Sequence, residues 1–452
     1  MQAMQNRGRN NVSGEEDDLL EQKKTLQEGV FSAMHLLARS RSADSWKFAA
    51  VKVLLEGLIP FLVIFNPTNG WDIHPGNPVW QGYHTYVRIF YAFVVVVYVA
   101  VTCIAFLTLA MRRQARGGGG AGTGGGGGGH THGGREHSKA LRRFAVVLQT
   151  FTEVVFSLFY MSVFDYMVFL FNCKFLSKGP KLHNYWPEVH CFETPHLIHL
   201  SVAGVTAVVF FCSTALMLVA GCDLNPVARG IMSSPAAVTR IKVLVMKAVY
   251  VIVVNTLDSA GKVQAVLMTA AALAITWYNL SRLPFLRYAV NLLWVGGWAA
   301  VTFTCAIYCV LEFHPRHKEH GFNSSMVMLV LYGVWPSIAA GAGVTALWHR
   351  YRLRDAGKFA SLDPAVKLRK VHQFSSPEDV ELLSRSMRVF DGEGGVLEEF
   401  GNIGETIIKC GIAVYPGDVG LLVLYANFLM EVRRDGPVAR TQLQLALKSG
   451  PR

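Results

Sequence analysis

The sequence predicts an all-α protein, a polytopic bundle of about eight membrane-spanning helices followed by a soluble helical tail. Three observations carry this reading. The 452 residues are 52% hydrophobic and only 16% charged, with a mean hydropathy of +0.31, whereas soluble domains are nearer a quarter charged. Apolar runs of about 20 residues recur, the length that crosses a bilayer as helix. From His349 onward the pattern changes to shorter helical segments opened by Asp or Ser beside Pro.

The elements fall in order. Residues 1–47 form a polar segment of mixed charge with no apolar leader, so the first span is expected to act as its own insertion signal. Within that segment, Leu19, Leu26, Val30, Ala33 and Leu37 fall at spacings that place them on one helical face. Such a helix lies on a membrane or packs on the domain. The membrane block covers residues 48–348. Its spans are expected at about 48–66, 85–111, 141–171, 198–220, 241–258, 263–280, 288–311 and 326–348. The first is the weakest, because it holds Lys52, Glu56 and a kinking Pro60. Between spans two and three, residues 114–138 are glycine-rich, which reads as a flexible linker. Residues 349–452 form the tail, with helices expected at 363–374, 376–390, 396–414, 418–434 and 437–448.

Orientation follows from Lys and Arg. Seven precede the first span: Arg7, Arg9, Lys23, Lys24, Arg39, Arg41 and Lys47. The 112–143 loop is also basic, and "WHRYRLR" follows span eight. The 67–84 loop has no Lys or Arg. Both termini are therefore expected in the cytoplasm, which needs an even number of spans. A formal net charge of +12 fits basic cytoplasmic loops better than a nucleic-acid partner. Membrane lipid is the expected surrounding.

Ionisable residues within spans are costly and often functional. Glu153, Asp165 and Lys247 form a possible in-membrane polar site. On a straight helix Glu153 and Asp165 stand roughly 18 Å apart and within about 30° of one face. They are either stations on an ion path or packing groups that pair with Lys247 or backbone. No broken helix pair is legible in the sequence. No phosphate loop, HExxH or nucleophile elbow occurs, so neither enzyme activity, a cofactor nor a metal is expected.

Cys173 and Cys191 bound a loop on the predicted outer, oxidising side, and a disulfide between them is expected. Histidines crowd the same side: His183, His190, His196 and His199, then His314, His317 and His320. Their spacing matches no strong metal motif, and a pH-sensing group is the other reading. Asn323 begins the glycosylation sequon "NSS", close to the start of span eight.

The tail resembles a helical repeat. Pro416 and Pro451 are 35 residues apart, close to a tetratricopeptide unit. Tyr425, Ala426, Phe428, Ala439, Leu443 and Ala446 occupy its packing positions, and the repeat region is placed at 396–451. Repeat arrays need about three units, so a chain with one unit is expected to be part of a longer one.

Four stretches then look alike in order to one family: "IFNPTNGWDI" (64–73), the Cys173/Cys191 loop ending "PHLIHL" (195–200), "CDLNP" (222–226) and "YPGDVGLLVLYANFL" (415–429). Together they resemble the tiny macrocysts protein B family, multi-span proteins of protists and green algae. The resemblance implies a membrane block followed by tetratricopeptide-like repeats, and longer members carry PAS sensor domains. The expected function is a non-enzymatic signalling, sensory or scaffold protein whose tail binds a protein partner or a further C-terminal domain. The alternatives are a transporter or channel using Glu153 and Asp165, and a seven-span receptor-like protein in which residues 48–66 do not cross.

Overall fold

The computed structural model describes residues 46–64, 82–118, 143–174, 181–257, 260–314, 324–360, 371–392 and 395–449. The expected helix at 19–37, the 67–81 loop, the glycine tract from 119, Asn323, residues 363–370 and Pro451 lie outside them. Among the described residues the chain is helical, with isolated β-bridges and no strand.

Among the described residues eight helices precede the tail: α1 (Trp46–Ile64), α2 (Tyr83–Gly118), a bent α3 (Arg143–Phe171), α4 (His196–Ala220), α5 (Ala237–Thr256), α6 (Gly261–Arg282), α7 (Tyr288–Glu312) and α8 (Ser324–Leu353). Five are long and apolar enough to cross a membrane, and α3 makes six if its two halves form one span. The two that fall short, α1 and α5, carry more charge: Lys47, Lys52 and Glu56 in one, Arg240, Lys242 and Lys247 in the other. Helix α8 turns Tyr332, Trp335 and Leu347 outward. Large apolar surface of this kind calls for lipid or protein cover.

Two helices depart from the sequence reading. Helix α2 continues past 111 to Gly118, because Arg112, Arg113, Gln114, Ala115 and Arg116 are good helix formers. Helix α3 is not one straight rod. A π-helical turn at Glu153–Leu158 is followed by Phe159 at φ −101°, ψ 18°, and the axis bends by 63°. A π turn widens the helix by one residue and turns whatever follows. The straight-helix distance and shared face expected for Glu153 and Asp165 therefore do not hold. The span is broken without Gly or Pro, which is why the sequence hid it.

The chain divides into two compact units. In one, α2, the first part of α3 and α4 pack through Ile104, Leu107, Ala145, Leu148, Met217 and Ala220, and Phe210 stacks on Phe156 and Tyr160. In the other, α7 is the hub and packs against α1, α6 and α8. The α7–α8 approach needs a bare backbone. A Cβ added at Gly341 would lie 2.6 Å from the Ala299 side chain, the close small-residue packing usual between membrane helices.

The tail belongs to this second unit. Its helices are α9 (Pro377–Ser384), α10 (Glu398–Val414), α11 (Val419–Phe428, prolonged by a π turn Leu429–Arg433) and α12 (Gly436–Ser449). Pro377 opens α9 with Glu378 and Asp379 in its first turn, where the helix dipole favours acid. Helix α9 is shorter than the expected 376–390, because a 3₁₀ turn at Arg385–Met387 ends it. Asp418 caps α11 by accepting from the Leu421 amide at 2.8 Å. Of the expected repeat-packing residues, Tyr425, Phe428 and Ala439 share one core with Val380, Met387, Ile407 and Leu421. Ala426 and Ala446 are buried, Leu443 is half-buried, and Pro416 is exposed.

Candidate functional site

The charges within α1 and α5 meet. Lys247 donates to Glu56, and both are buried. The Lys247 ammonium also lies 5.9 Å and 5.6 Å from the ring centres of Trp294 and Trp298 on α7, so two aromatic faces share its charge. Lys52, one helical turn before Glu56, is buried and close enough to Lys247 to interact electrostatically. Tyr250 donates to the carbonyl of Pro60, the proline inside α1, at 3.4 Å. The partnership expected between Lys247 and Glu153 or Asp165 is thus replaced by Glu56. Glu153 and Asp165 are both half-buried, either side of the α3 bend. Asp165 stands near the stacked rings of Tyr86 and Tyr166.

The segment between α3 and α4 forms a second cluster. Cys173 and Cys191 are bonded, with Cα atoms 6.3 Å apart, inside the range a disulfide permits. Both are fully buried. Of the crowded histidines, His183 and His196 come together, ring centres 5.8 Å apart, whereas His199 bonds Tyr91 at 2.8 Å and His190 faces Glu193. The atoms of Cys173, Cys191 and His196 lie within 4.8 Å of one another, but both sulfurs are committed to the disulfide. His183 Nε2 lies 3.2 Å from the Phe169 carbonyl, while Nδ1 accepts from the Tyr185 and Trp186 amides at 3.1 Å and 3.3 Å. That pattern requires the neutral ring with its proton on Nε2. Burial pushes the His183 pKa down to about 4.

The sign of the resulting pH dependence is fixed. The folded pKa lies below the ordinary histidine value near 6.5, so the unfolded chain binds the proton first. Stability from neutral His183 is complete above about pH 6.5 and falls as pH drops through 4, by about 3 kcal/mol in all. The unfolding midpoint of the parent should therefore fall between pH 6.5 and 4, and the His183→Gln variant should lack most of that slope. Equal slopes would remove His183 from the account.

The third cluster joins the tail to the helix connections of the same unit. Leu283 closes α6 in the left-handed region, φ 45°. That conformation turns the chain sharply and leaves the Leu283 carbonyl facing the tail. Arg385 donates to it at 2.6 Å and to the Phe285 carbonyl at 3.0 Å. Glu381 holds the same guanidinium by two bonds, at 2.9 Å and 2.7 Å. Arg388 donates to the Pro226 and Ala228 carbonyls, each at 2.5 Å. Arg282 reaches back to Ser376 and Glu378, and Arg352 pairs with Asp379. A planar guanidinium suits such forked contacts. The result is a set of fixed links between the tail and the ends of the apolar helices.

No protein-family model, curated protein or solved structure matches this chain. The sequence reading did not single out Glu56 as the partner of Lys247, nor Arg385 and Arg388. Arg385 and Arg388 are three residues apart, which hints at one helical face, but nothing in the sequence names the carbonyls they meet.

Proposed function

We propose that the protein is a non-enzymatic membrane signalling or scaffold protein. Eight helices cross the bilayer, both termini are cytoplasmic, and the tail is a tetratricopeptide-like module that binds a protein partner. The single observation that carries this reading is the junction of Arg385 and Arg388 with the 226–228 and 283–285 backbone. A tail joined in this way feels any movement of the helix ends, and the helices feel a partner bound to the tail. Eight spans rather than seven are supported by α1, whose buried Glu56 is paired with Lys247 of α5 and which packs on α7. The order of a membrane block and a helical tail also keeps the tiny macrocysts protein B resemblance as part of the proposal.

The test uses the full chain in lipid nanodiscs with Arg385 and Arg388 both replaced by alanine. Amide hydrogen exchange over 377–390 should rise at least tenfold, and exchange in α7 should stay slow. If exchange in 377–390 is unchanged, the junction does not couple the two parts.

A second reading, a transporter or channel, is favoured by the α3 break. Broken helices flank substrate sites in many transporters, and Glu153 and Asp165 lie either side of this one. Flux in proteoliposomes that disappears when both acids are neutralised would select it over the scaffold.

A further inference from the structure

The junction gathers several guanidiniums around one aromatic ring. Phe390 follows the 3₁₀ turn that ends α9. Two guanidiniums stack on its ring: Arg229 with its carbon 5.0 Å from the ring centre, and Arg388 at 5.7 Å. Arg287 joins them by donating to the Arg229 carbonyl at 3.2 Å. Arg385 lies beside them, and the acids near Arg388 are Glu381 and Asp223. Of these two acids, Glu381 already holds Arg385 by two bonds. Among the described residues no carboxylate lies within ion-pair distance of Arg287 or Arg388. Burial, and after it the neighbouring Arg385 and Arg287 charges, pull the Arg388 pKa down to about 10. Arg229 and Arg287 remain exposed.

The position of these side chains selects the ligand. Residues 222–236 connect α4 to α5, and residues 283–287 connect α6 to α7, so the patch lies where apolar helices end. Guanidiniums in a fixed array bind phosphate oxygens in pairs, and basic clusters at the cytoplasmic ends of membrane helices meet anionic headgroups.

We propose that Arg229, Arg287 and Arg388, ordered around Phe390, bind the phosphate of an anionic phospholipid headgroup. This rests on the cytoplasmic placement of these loops in the proposed function. A bound headgroup would offset the charges of Arg287 and Arg388 beside the junction and so tighten the tail against the helix ends. The lipid bilayer becomes a ligand of the junction, and its anionic content becomes an input to the tail.

The test places the full chain in nanodiscs of phosphatidylcholine with or without a minor fraction of phosphatidylinositol 4,5-bisphosphate. Native mass spectrometry counts the lipid retained. The parent should keep the phosphoinositide in preference to phosphatidylcholine. The Arg229→Gln/Arg287→Gln variant should lose about tenfold or more of that preference, with its unfolding midpoint in phosphatidylcholine-only discs close to the parent's because both side chains are exposed. No preference in the parent, or an unchanged preference in the variant, overturns the proposal. Inositol hexakisphosphate bound in phosphatidylcholine-only discs, with no lipid retained, would also overturn it by assigning the site to a soluble phosphate. Labelling of a cysteine introduced at Tyr288 from the outside would defeat the topology alone, since the lipid count is read independently of sidedness.

Discussion

Replacing Glu56 by glutamine is expected to destabilise the protein by about 3–5 kcal/mol, the cost of removing one partner from a buried pair. The geometry makes Glu56 the critical member. It is the carboxylate bonded to Lys247, with Lys52 buried one turn away. Without its charge, the buried Lys247 keeps the repulsion of the buried Lys52, and the Trp294 and Trp298 faces are left to offset its ammonium. Replacing Lys247 by methionine should cost less, because the buried positive charge of Lys52, one turn away on the same helix, still offsets Glu56. The double variant, Glu56→Leu with Lys247→Leu, should cost less than the sum of the two single ones, since it leaves no orphaned charge from the pair. Unfolding in detergent titrations gives all three values. A Glu56→Gln cost below about 1 kcal/mol, typical of an exposed pair, would mean that water reaches the cluster.

Much of the apolar helical block was legible because helix length and apolar content are properties of composition. Helices α4, α6, α7 and α8 begin within about three residues of their expected starts, and the tail helices α10 and α12 within about two. The misses share one cause. The α3 bend comes from a π turn through ordinary apolar residues, "EVVFSL", with no Gly or Pro to announce it. Hydropathy recognises the span and is blind to its hydrogen-bond register. The Lys247 partner was hidden for a related reason. Glu56 lies 191 residues away, and a sequence names the charges in a bundle without saying which helices are neighbours. The arginine junction is less legible still, because its acceptors are backbone carbonyls that every residue owns. What makes those carbonyls available is local conformation: the left-handed Leu283 and the turns within 223–228.

Replacing Cys173 and Cys191 together by alanine is expected to cost about 3 kcal/mol. The two are 18 residues apart, and in the chain-entropy model a loop of that size releases about this much when its tie is cut. Alanine is the right substitute, because both positions are fully buried and a serine hydroxyl would add an unpaired polar group. The bond also holds a small structure around it. The Cys173 amide donates to the Phe171 carbonyl at 2.8 Å, the Cys191 amide to the Lys181 carbonyl at 2.8 Å, and the His183 amide to the Val189 carbonyl at 3.0 Å. His183 itself is buried beside His196 and Trp186. Two outcomes follow, and they separate covalent from packing contributions. If the segment keeps its shape without the bond, stability falls by about 3 kcal/mol and the acid-side slope of His183 persists. If the segment opens, His183 meets water, its pKa returns toward the ordinary value, and the slope disappears along with the stability. Native protein should resist thiol reagents at both cysteines until it is unfolded and reduced. Stability equal to the parent's, or labelling of Cys173 in the folded, unreduced protein, would show that this bond does not hold the segment.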